Sequence, residues 1–100
     1  MEVAFANNKL EKYFRDHKEA EKKFGKQVAT RYIQRVTIIQ STQSIDELQK
    51  LPGLRCHPLK GVKQGVWAVK LVGRYRLTFT VEGESENLIR LLEVTNHYGD

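Results

Sequence analysis

Tyr75-Arg76-Leu77-Thr78-Phe79-Thr80-Val81-Glu82 alternates strictly between apolar and polar side chains. Successive side chains of a strand point to opposite faces, so the run predicts a β-strand with Tyr75, Leu77, Phe79 and Val81 turned to a core. Arg76, Thr78, Thr80 and Glu82 then meet solvent or a ligand, and Arg76 is expected to be displayed. The same period of two runs through 65–72 before this stretch and 88–95 after it. Gly73-Arg74 and Gly83-Glu84-Ser85-Glu86-Asn87 separate the runs as turns, which predicts three antiparallel strands.

Working back toward the N-terminus, the period changes to between three and four. Phe24, Val28, Tyr32, Val36 and Ile39 mark a long amphipathic helix, and Gly25 inside it is the place for a break, since glycine costs about 1 kcal/mol there relative to alanine. Before it, Leu10, Tyr13, Phe14 and His17 share the face of a first helix that Asn7 or Asn8 can cap, and His17 is assigned to packing. Val3 to Ala6 reads as an edge strand. Ser44-Ile45-Asp46-Glu47 fits a capping box that opens a short helical turn before the breaker Leu51-Pro52-Gly53. Helices followed by strands, without repeats or linkers, predict an α+β fold with the N-terminal helices on one face of a small antiparallel sheet.

One hundred residues, 40% of them hydrophobic, suffice for one domain with one core over residues 1–100. Seventeen Lys and Arg against twelve Asp and Glu leave a net charge of +5, which draws the chain toward polyanions or an acidic protein partner. On the long helix Lys22, Lys23, Lys26, Arg31 and Arg35 read as a solvated outer face. A lone cysteine, Cys56, excludes an internal disulfide, and no Cys/His quartet stands at zinc spacing. With no apolar run of membrane-spanning length and no leader-like N-terminus, a cytoplasmic location is expected.

His57-Pro58-Leu59-Lys60-Gly61, Arg76 and His97-Tyr98 bring imidazole, ammonium, guanidinium and phenol groups into one basic chain. Internal RNA cleavage uses the ribose 2′-hydroxyl as nucleophile. The protein has to loosen that proton, neutralise the phosphorane and protonate the leaving oxygen, and these four groups supply those functions without a metal or other cofactor. Pro58 biases His57 to an extended backbone, and Gly61 permits a turn after Lys60. Cys56 and His57 are strand neighbours that point apart, so Cys56 reads as a small buried hydrophobe rather than a nucleophile. Trp67 and Tyr75 read as core. Glu82, Glu84, Glu86, Glu93 and Asp100 show no metal-ligand spacing with histidine and read as solvated, mostly on a turn.

The string Leu51-Pro52-Gly53-Leu54-Arg55-Cys56-His57-Pro58-Leu59-Lys60-Gly61, with Gly65-Val66-Trp67-Ala68-Val69, Tyr75-Arg76-Leu77-Thr78-Phe79 and Asn96-His97-Tyr98, resembles the RelE/ParE toxin superfamily. Within it the likeness is to the HigB branch, the plasmid maintenance system killer proteins. The resemblance implies a RelE-like fold and an endoribonuclease that enters the ribosomal A site, cuts mRNA and is silenced by a helix-turn-helix, HigA-like antitoxin. Operator DNA would then be met only through the antitoxin. The matching site positions are His57, Lys60 and Arg76. Where the family often has Asp-Tyr-His, this chain has Asn96-His97-Tyr98, an exchange that puts at least one of His97 and Tyr98 toward the substrate. Two other functions share the fold: non-enzymatic gyrase inhibition of the ParE kind, and RNA or ribosome binding without cleavage.

Overall fold

The computed structural model describes residues 1–61 and 65–96. Along the chain stand β1 (Glu2–Phe5), α1 (Asn8–Arg15), α2 (His17–Phe24), α3 (Lys26–Ser41), α4 (Ile45–Lys50), β2 (His57–Pro58), β3 (Val66–Lys70), β4 (Arg76–Glu82) and β5 (Leu88–Thr95). The strands form one sheet in the order β1-β5-β4-β3-β2, and the helices cover one of its faces in the expected α+β arrangement.

Capping residues explain where the helices stop. Asn7 Oδ1 accepts from Leu10 N at 2.9 Å and opens α1, satisfying a donor that the first turn leaves without a partner. Asp16 closes α1 and caps α2 by accepting from Glu19 N, so the first helical stretch is two helices rather than one. Gly25, at φ +86°, ends α2 and starts α3; a side chain would be strained in that conformation. The break at Gly25 is therefore real. Ser44 Oγ accepts from Glu47 N, as the capping box requires.

His17 corrects one expectation. The Asp16 break moves it into α2, where its side chain is about half exposed, 3.3 Å from Thr30 Oγ1 and 4.0 Å from Glu21. It does not pack in the core. The face that does pack carries Leu10, Val28, Tyr32, Val36 and Ile39, joined by Leu48 and Leu54, and the Tyr32 hydroxyl donates to Leu10 O at 2.7 Å.

β3, β4 and β5 are consecutive antiparallel strands, with Lys70 opposite Arg76 and Leu77 opposite Val94. β1 takes the edge as expected, but parallel to β5, with Val3 opposite Ile89, so the sheet is mixed. A parallel neighbour needs a long connection, and here all four helices and the strands β2, β3 and β4 lie between the two in sequence. The register puts Val3, Phe5, Trp67, Val69, Leu77, Phe79, Ile89 and Leu91 on the helix-covered face. Residues one position away in each strand form the opposite face.

Candidate functional site

The opposite face is the polar one. Three rows cross it: Lys70, Arg76 and Thr95; then His57, Ala68, Thr78 and Glu93; then Val66, Thr80 and Arg90. His57 and Arg76 therefore stand on the same face, two strands and one row apart. Strand and residue spacings put their Cα atoms about 12 Å from each other.

Pro58 and the backbone before it set the His57 ring. The pair His57–Pro58 is extended enough to form a two-residue strand against Trp67 and Ala68, and Leu59 N donates to Val66 O at 2.7 Å. His57 Nδ1 lies 2.6 Å from Arg55 O. A carbonyl can only accept, so Nδ1 carries a hydrogen and the contact fixes the ring's orientation. Arg55 reaches this position through a left-handed backbone, φ +51°, which costs a non-glycine residue about 1 kcal/mol. Lys60 follows the strand and is exposed.

Arg76 is on the expected face but is not displayed, since it is only 5% exposed. Its Nη1 donates to Gly73 O at 2.8 Å and to Tyr75 O at 3.0 Å, so the β3–β4 turn folds around the guanidinium and removes it from solvent. Alternation tells which face a side chain takes and not how deep the neighbouring turn buries it. Thr78 beside it is 1% exposed, and its hydroxyl donates to Glu93 O.

Two arginines of α3 also depart from the solvated-face reading. Arg35 is buried with its Nε donating to Lys70 O at 2.9 Å, and Arg31 is half-buried with Nη1 donating to Leu71 O at 3.3 Å. Lys22, by contrast, is solvated and pairs with Glu19 at 3.2 Å. A shallow groove of about 480 Å³ lined by Lys26, Gln27, Thr30, Arg31, Gln34 and Val72 runs along this outer side of α3.

Sequence reasoning missed Glu93 and Arg90 on the polar face. Thr78 pairs with Glu93 and Phe79 with Leu91, so Leu92 is an extra residue and the facing of β5 changes there. The signal was present in the apolar doublet Leu91-Leu92, which interrupts the period of two and shifts the polar positions from Arg90 to Glu93 and Thr95. Glu82, read as part of a solvated turn, is tied instead to Arg90 at 3.0 Å and to the Thr80 hydroxyl at 2.8 Å, contacts that hold its carboxyl below the usual range. His97, Tyr98 and Asp100 lie outside the described residues.

Cys56 is 7% exposed, and burial pushes its thiol up to about 12. The folded protein should resist iodoacetamide at pH 8 over an hour and react fully in urea; rapid labelling in native buffer would show that the site opens. Because the folded state keeps the proton, this group's contribution to stability is present below the ordinary thiol value near 9 and is lost as pH rises toward 12.

Trp67 stacks on Phe79 with centroids 6.4 Å apart on the helix-covered face, as core, and half-buried Tyr75 packs against the same cluster. Among the described residues no helix is long and apolar enough to cross a membrane.

Comparison with known proteins agrees with this architecture. The YoeB/ParE toxin from Agrobacterium tumefaciens superposes with a TM-score of 0.66 at 16% identity, over 98% of this chain and 100% of that one. The YoeB-YefM complex from Staphylococcus aureus gives 0.63 at 17% identity over 98% of each chain. A YafQ mutant from E. coli gives 0.56 at 18% identity over 96% of this chain and 92% of that one. No curated protein matches. The model of the HigB-like toxins, described as RelE-like toxins of type II toxin-antitoxin systems, matches residues 3–97, and with nearly the whole sequence accounted for, the chain belongs to that family.

Proposed function

We propose that the chain is a single-domain, metal-independent mRNA endoribonuclease that cuts on the ribosome in the cytoplasm and is silenced by a helix-turn-helix, HigA-like antitoxin. The observation that supports it is the strand register, which brings an imidazole held through Nδ1 by Arg55 O and a guanidinium to the same polar sheet face. In the reaction the ribose 2′-oxygen attacks the adjacent phosphorus, and the bond to the 5′-oxygen breaks. The products are a 2′,3′-cyclic phosphate and a 5′-hydroxyl, so one proton leaves the 2′-hydroxyl and one joins the 5′-oxygen. His57 Nε2 is suited to one of these transfers and takes its place with His97 or Tyr98. Arg76, whose Nη1 is directed at the Gly73 and Tyr75 carbonyls, supplies fixed positive charge for the scissile phosphate. Lys60 adds charge for the phosphorane.

Primer extension on a defined mRNA, with and without programmed ribosomes, tests the reading. Cleavage should require ribosomes and fall about 100-fold or more in His57→Ala. Intact mRNA in both arms from folded protein, with purified gyrase inhibited, would replace the nuclease by a gyrase inhibitor. Intact mRNA with ribosome binding alone would leave a binding module.

A further inference from the structure

α3 delivers two guanidiniums to the base of the β3–β4 hairpin. Arg35, 8% exposed, holds Lys70 O, and Arg31 holds Leu71 O. From the far side of the turn Arg76 holds Gly73 O and Tyr75 O, while Leu71 N donates to Tyr75 O and Tyr75 N to Val72 O, each at 2.9 Å. The carbonyls of Lys70, Leu71, Val72, Gly73 and Tyr75 are thus shared among three arginines and the turn's own amides. Lys70 is also the residue paired directly opposite Arg76, so the grip on its carbonyl sets that row of the sheet.

Neither Arg31 nor Arg35 has a carboxylate partner among the described residues. To dock a helix on a sheet, an apolar side chain of similar length would serve with a smaller desolvation cost. What the guanidinium adds is a directional hold on one carbonyl and a positive charge that no carboxylate among the described residues pairs with.

We propose that Arg35 is a positioning residue for the reaction. Through Lys70 O it fixes the end of the hairpin whose carbonyls orient the Arg76 guanidinium, and its charge adds to the positive potential at the scissile phosphate. This rests on Arg76 holding that phosphate.

Single-turnover cleavage on programmed ribosomes by Arg35→Met, Arg35→Lys and Arg76→Ala tests it, each rate being normalised to the folded fraction from circular dichroism. Arg35→Met should lower the maximal rate about 30- to 100-fold and change the half-saturating ribosome concentration by less than about threefold. Arg35→Lys keeps the charge and one donor and should recover most of that loss, remaining about 3- to 10-fold below wild type. A folded Arg35→Met with the wild-type maximal rate overturns the proposal, and so does a loss confined to half-saturation. Should Arg35→Met fail to fold, an unaltered rate in Arg35→Lys overturns it instead. An active Arg76→Ala removes the reading beneath the proposal and the proposal with it; an inactive Arg76→Ala beside a fully active Arg35→Met removes the proposal alone.

Discussion

Arg76→Ala is expected to reduce mRNA cleavage on programmed ribosomes by roughly 100- to 1000-fold, the usual cost of removing a fixed charge from a developing oxyanion in a shielded site. The guanidinium is 5% exposed and already oriented by Gly73 O and Tyr75 O, so little reorganisation is needed when a phosphate arrives. Arg76→Lys should restore only part of the rate, since an ammonium keeps the charge but lacks the planar fork that the Gly73 and Tyr75 carbonyls orient. Stability should fall by about 1–2 kcal/mol as those carbonyls lose a charged donor, a loss that urea denaturation measures separately from the rate. A folded Arg76→Ala enzyme cutting at the wild-type rate would take Arg76 out of the site.

Phe79→Ala should have the largest effect on the fold. Phe79 is fully buried on the helix-covered face, stacked on Trp67, and next to the β5 bulge. Removing the ring leaves a cavity beneath the helices and is expected to cost about 3–5 kcal/mol. Domains of this kind are held by about 5–15 kcal/mol in all, so the melting temperature should drop by tens of degrees, followed by circular dichroism on heating. A loss below about 1 kcal/mol would mean that the sheet and helices do not meet tightly there.

The two substitutions sit three residues apart on one strand, and the sequence already separated them by face. Strict alternation along β4 was legible because a half-buried strand leaves no other arrangement for Leu77, Phe79 and Val81. Helix ends at Asn7 and Ser44 were legible for a comparably local reason, since a cap acts within three residues of itself. Asp16 was equally local but lay within a stretch whose apolar spacing continues across it, so the break there and the exposure of His17 escaped notice.

Depth and facing were different. Arg35 has the composition of a solvated helix residue and becomes buried because the end of β3 offers it a carbonyl 35 positions away in sequence. Glu93 faces the candidate site because one extra residue at Leu92 changes the facing of β5 relative to β4, a relation between two strands rather than a property of either. By itself the sequence determined the long strands, most helix ends, the apolar face and the residue types able to move a proton beside a phosphate, because periodicity, caps and functional groups are local. Only the tertiary structure decided that His57 and Arg76 share a face, that Arg76 is enclosed by its own hairpin, and that α3 reaches across to hold that hairpin. Those outcomes depend on register and on carbonyls distant in sequence, whose positions are set when the sheet and the helices pack together.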